Sequence, residues 1–260
     1  MLFNLLIYDY MQAKQTKIEN ILPHVVFGFN KEWEAFNWYE TCVKEATYGL
    51  KGGSKKWDLG DIPPEVLTII NQHEYKQDIL AAIRLLLKKF IQNPEHSQAI
   101  QQTIEKAQKR WDKINGQYFL LLSRMLNVPI SEFEKEYYAF FTFGMRCPFH
   151  KNTFMFSRFN DFSNTVTHEI MHIEFLKKYT DHCRAKGLSE MQISHLKEIL
   201  TVLLNEDMKK LLYHFDYGYE KHIAIRKKIL KLYQQNKKNK KQFINFLDKA
   251  IELMRLQKFT

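Results

Sequence analysis

Interruption is what this chain lacks. Only 9 glycines and 6 prolines are spread over 260 residues, so few positions can break a periodic stretch, and long helices become the default solution. Residues 31–48 carry an amphipathic helical pattern that ends before a loop reading KGGSKKWDLGDIPP. Pro63 and Pro64 start a second helical run, in which Val66, Ile69, Ile70, Ile79, Leu80, Ile83, Leu86 and Leu87 recur at spacings of three and four. Residues 96–126 form another, which Asn115-Gly116 can break. Further helices are predicted over 164–185, 189–212, 219–235 and 239–256.

The pattern changes after Pro129. Residues 136–145 and 153–159 are rich in aromatics and separated by RCPFHKN, which predicts two strands joined as a hairpin. A short strand is also expected at His24–Phe29. The fold class is therefore α+β but mostly helical: a small mixed or antiparallel sheet lies just before the helix over 164–185, and a helical lobe closes the chain. One domain is expected over 1–260, with an N-terminal helical part (1–95), a core (96–185) and a C-terminal lobe (186–260).

Residues 165–175 read TVTHEIMHIEF and place His168, Glu169 and His172 in an H-E-x-x-H pattern. On a helix, positions i and i+4 share a face, so both imidazoles can reach one ion. Glu169 sits beside the first ligand, where it can take a proton from a metal-activated water. With 10 His and 19 Glu, chance yields this pattern in only roughly 0.03 of chains of this length. This copy lies inside an amphipathic helix, with Val166, Ile170 and Ile173 on its apolar side and several possible N-caps at Asn160, Asp161, Ser163 and Asn164.

A strand followed directly by such a helix resembles the core of the zincin metallopeptidases, and residues from about 96 to 212 look like a minimal version of it. The resemblance implies that an extended peptide or protein substrate pairs with the edge of Thr153, Phe154, Met155, Phe156 and Ser157 by strand addition. It also implies one Zn²⁺ with a third ligand and an open position for water. The metzincin continuation is missing, since Phe175 and Lys178 stand where it needs Gly and His. The gluzincin pattern, with a Glu from the following helix, favours Glu198 over Glu206 and His195. The stripe His195, Glu198, Thr201, Val202 and Asn205 is polar yet free of Lys, Arg and any second acid, whereas Leu196, Ile199, Leu200, Leu203 and Leu204 form an apolar one. Thr201 and Asn205 read either as ordinary helix residues or as groups that orient a ligand. By analogy, His214, Tyr217 or Tyr219 would stabilise an oxyanion across the metal.

Charge and cysteine usage bound the alternatives. The net charge of +10 concentrates at Lys227, Lys228, Lys231, Lys237, Lys238, Lys240 and Lys241, which reads as a solvated helix face. No nucleic-acid signature accompanies it. Cys42, Cys147 and Cys183 are odd in number and scattered, so neither a disulfide framework nor a thiolate metal site is expected. No stretch is long and apolar enough to span a membrane, and MLFNLLIYDYMQAK lacks a basic start and a cleavage site, so a cytoplasmic enzyme is expected. Two rivals differ in class: a basic module that binds nucleic acid or a membrane surface, and a zincin-fold regulator with little general proteolytic activity.

Overall fold

A computed structural model describes residues 22–46, 48, 56–159, 162–239 and 242–257. The N-terminal stretch discussed above and Lys240–Lys241 lie outside the described residues. The first helix, α1 (Lys31–Val43), starts where the Asn30 side chain accepts from the amides of Glu32 and Trp33. It stops short of residue 48, because Lys44 turns extended and Glu45 bridges to Lys56. The run after Pro64 divides into α2 (Glu65–Gln72) and α3 (Lys76–Phe90), with His73 extended between them. The next long run also divides, close to the expected break, into α4 (Pro94–Asp112) and α5 (Asn115–Leu126). Asn115 marks the junction, accepting from the Trp111 indole at 2.6 Å and donating to the Pro23 carbonyl at 2.9 Å.

The sheet is mixed, in the order β1 (His24–Gly28), β2 (Glu136–Thr142), β4 (Thr153–Ser157) and β3 (Phe149–His150). The two aromatic strands do not form the expected hairpin. β2 and β4 pair in parallel, Tyr138 opposite Thr153 through Thr142 opposite Ser157. The hairpin is instead β3 with β4, turned at Lys151, whose φ is 52°. Residues 143–150 therefore carry the chain back before β4 begins, and β4 leads straight towards α6 (Phe162–Ala185).

Aromatic rings fill the space between sheet and helices. Tyr137, Phe141, Phe154 and Phe156 are fully buried. Tyr137 stacks on Phe119 of α5, and Phe27 of β1 meets Phe156 edge-on at 5.4 Å. Each such side chain contributes roughly 1.5–3 kcal/mol by leaving water.

Beyond α6 the expected helix over 189–212 is broken into α7 (Glu190–Leu200) and α8 (Val202–Asp207). The cause is tertiary: the Glu198 carbonyl accepts from Arg226 Nη1 and from the Thr201 hydroxyl, both at 2.8 Å. Arg226 belongs to α9 (Ile223–Lys238), and α10 (Phe243–Arg255) follows. The described lysines of α9 at 227, 228, 231, 237 and 238 are exposed, in keeping with a solvated face. Among the described residues, no helix is long and apolar enough to cross a membrane.

Candidate metal centre

The motif occupies the first half of α6, with Val166 and Ile170 fully buried beneath it. One helical turn sets the His168 and His172 rings 4.1 Å apart, centroid to centroid. Ligand atoms of His168, Glu169 and His172 all lie within 4.8 Å of one another. Glu198 enters from α7: its Oε2 is 3.3 Å from His168 Nε2 and 3.5 Å from His172 Nε2. Two imidazole nitrogens and one carboxylate oxygen thus converge on one point.

The donor set fits a divalent cation, and the buried polar atoms say so independently. His172 Nε2 and Glu169 Oε2 are both buried without a hydrogen-bond partner. Leaving such an atom unsatisfied costs on the order of 1–3 kcal/mol, so a bare His172 Nε2 at the point of convergence suits a site completed by an ion. Glu169 Oε2 lies to one side, 3.6 Å from His172 Nδ1. His168 keeps 21% of its side-chain surface and His172 only 2%, so the approach is from the His168 side.

A second layer fixes His168. Its Nδ1 lies 2.6 Å from Asp216 Oδ2. Asp216 is itself held by Arg226 Nη2 and the Thr201 hydroxyl, at 2.8 and 3.2 Å from Oδ1. Asn205 grips the Asp216 backbone from both sides, donating to its carbonyl and accepting from its amide. With Nδ1–H donated to Asp216, the Nε2 lone pair of a neutral His168 points at Glu198 and the ligand position.

Burial and charge set the protonation states. For His168, burial alone would lower the pKa, but Asp216 and Glu198 overcome it and raise it to about 10. For His172, burial and then the Lys197 ammonium push the pKa down to about 4, leaving a neutral ring with a lone pair to give. Burial works against the ionised form of Glu198, yet His172, His168 and Lys197 hold its carboxyl well below the usual range. Asp216 is held low in the same way, by His168 and Arg226 against burial. A proton on His168 Nε2 and a cation would thus compete for the same lone pair.

The other residues anticipated from sequence are scattered. Glu206 is on the surface, accepting from Gln234. His195 is buried, with Nδ1 2.7 Å from His222 Nε2. Thr201 and Asn205 both hold Asp216, and Thr201 also donates to the Glu198 carbonyl. His214 and Tyr217 are exposed on the loop after α8, whereas Tyr219 is half-buried and its hydroxyl is raised by burial, Glu198 and Glu169. Thr153–Ser157 lead into α6 as expected, but the outer side of this strand is already occupied. His150 opposes Thr153, and the Met155 amide donates to the Pro148 carbonyl at 2.9 Å.

Four contributors escaped the sequence reading. Asp216 lies 18 positions beyond Glu198 in an irregular loop, where only its place among aromatics set it apart. Lys197 neighbours Glu198 but belongs to neither helical stripe, and its ammonium turns inward. Phe149 rests 5.8 Å from the His172 ring, and Tyr48 packs on His195, Tyr219 and His222. No family model matches the chain, and no curated protein or solved structure matches it either. The half-buried His168 and the buried Glu169 and His172 on one helix, preceded by a small mixed sheet, are consistent with a zincin-like metal site.

Proposed function

We propose that the protein is a zinc-dependent peptidase in which His168, His172 and Glu198 hold the ion and Glu169 is the general base. The observation that carries this reading is the convergence of His168 Nε2, His172 Nε2 and Glu198 Oε2, with Glu169 beside them offering a buried carboxylate oxygen. Two imidazoles and one carboxylate with an open position are a common hydrolytic zinc set. Bound zinc supplies Lewis acidity, lowering the pKa of a coordinated water towards about 7 and polarising a carbonyl.

The chain's own residues do the rest. Glu169 takes the water's proton and delivers it to the leaving amine. Asp216 keeps His168 in the tautomer that presents Nε2. Of the three candidates to meet the carbonyl oxygen of the substrate, Tyr219 is favoured because it is half-buried, whereas His214 and Tyr217 are exposed. Residues 148–150 cover the outer side of β4, so an extended substrate would add to β3. Strand alternation turns the Phe149 N–H and C=O away from β4, and its ring already abuts His172.

The test is metal content by elemental analysis of wild type, Glu198→Ala and His168→Ala, followed by peptide cleavage with Glu169→Gln. About one zinc per wild-type chain, lost in the first two variants, and zinc retained without turnover in Glu169→Gln are expected. Zinc retained by Glu198→Ala would remove the third ligand. Cleavage by Glu169→Gln at the wild-type rate would end the general-base assignment.

A further inference from the structure

Glu198 is approached by two kinds of partner. Its Oε2 faces the two histidine nitrogens, while its Oε1 accepts a hydrogen bond from the ammonium of Lys197. The lysine sits deep in the site, 9% exposed, on the position just before the ligand. Its Nζ lies 5.2 Å from the centre of the Phe149 ring and 6.0 Å from that of Tyr48, so aromatic walls shield it on two sides. His172 Nδ1 is 3.5 Å away. The Glu198 carbonyl, at the other end of the same residue, is tied to Arg226.

A buried ammonium normally finds water or loses its charge. Here the negative charge of Glu198 holds it, and the aromatic walls oppose its escape. An oxygen that already accepts from an ammonium has less electron density for a second cation. From this geometry we infer that Lys197 is a positioning residue that reserves Oε1 of Glu198 for itself, so that Glu198 ligates the metal through Oε2 alone. The ligand number contributed by protein then stays at three, and the position needed for water is not taken by the second carboxylate oxygen. The inference rests on the metal-site reading proposed above.

The test uses the full chain loaded with zinc or cobalt(II). X-ray absorption of the wild-type zinc form should fit one short carboxylate oxygen beside two imidazoles, and a bidentate carboxylate there would overturn the inference outright. In Lys197→Met, the freed Oε1 should bind as well. The visible absorption of the cobalt form should then weaken, as four-coordination gives way to five, and zinc affinity by chelator competition should change at least 10-fold. Lys197→Gln retains an N–H donor at that position and should keep the wild-type spectrum. A Met variant with an unchanged spectrum and affinity, or a Gln variant that shifts as Met does, would overturn the role assigned to Lys197. Wild type that takes up no metal, or a Glu198→Ala variant with unaltered affinity, would instead overturn the underlying site.

Discussion

Glu34 is buried completely in α1, and burial pushes its carboxyl from an ordinary 4.5 up to about 7, against the lowering effect of its bond from the Phe143 amide. Oε1 accepts from the Trp38 indole at 2.6 Å and from the Phe143 amide at 2.8 Å. In the folded protein the proton is therefore kept to a higher pH than in the unfolded chain. Below about pH 4.5 both states are protonated, and the group's contribution to stability is fully present. Between 4.5 and 7 only the unfolded state ionises, so stability falls as pH rises and levels off once the folded carboxyl has titrated. The difference in pKa corresponds to roughly 3 kcal/mol over that window. Glu34→Gln keeps an oxygen for both donors and removes the proton. Urea denaturation of wild type and variant at fixed ionic strength, from pH 4 to 8, reads the effect as the difference between two curves, in which all other titrations cancel. The variant should gain on wild type by about 3 kcal/mol across the window. Parallel curves would mean that Glu34 is ionised in the folded state and that the burial argument fails.

Other consequences are more direct. Asp216→Asn removes the charge that orients His168 and should weaken zinc binding by about 10–100-fold in chelator competition, while an unchanged affinity would show that His168 orients itself. Gly218 has φ of 63°, and a Cβ there would meet the Arg226 guanidinium at 2.6 Å, so Gly218→Ala should cost about 1–3 kcal/mol in denaturant unfolding. The same variant should loosen zinc through Asp216, with chelator competition as the readout. Ser189 caps α7, accepting from the Gln192 amide while its own amide donates to Gln192, and Ser189→Ala should lower thermal stability by about 1 kcal/mol.

Local pattern carried the sequence reading wherever local physics decides the outcome. The motif helix, the apolar stripe from Leu196 to Leu204 and the polar face with Glu198 all follow from a 3.6-residue period, and the structure brings Glu198 to both histidines. The parallel pairing of β2 with β4 was not legible, because an aromatic strand does not state its partner, and 143–150 had enough residues to turn back. The break at Thr201 comes from Arg226, 25 positions away, supplying donors that no helical period announces. Lys197 was hidden for a related reason. A lysine beside Glu198 looks like a solvated residue until Phe149 and Tyr48, from distant parts of the chain, close around it.

The wall that bears Phe149 has an upstream foundation. Asn37 of α1 donates to the Thr142 hydroxyl and the Arg146 carbonyl at 3.0 and 2.9 Å and accepts from the Arg146 guanidinium, while Glu34 grips Phe143. The segment that returns the chain to β3 is thus clamped at one end by a helix more than a hundred positions earlier, and at the other by two residues of strand. A fragment trimmed to the stretch bearing His168, His172 and Glu198 would keep all three proposed ligands, yet the floor under Phe149 would be gone. Chemistry and architecture in this chain have different addresses.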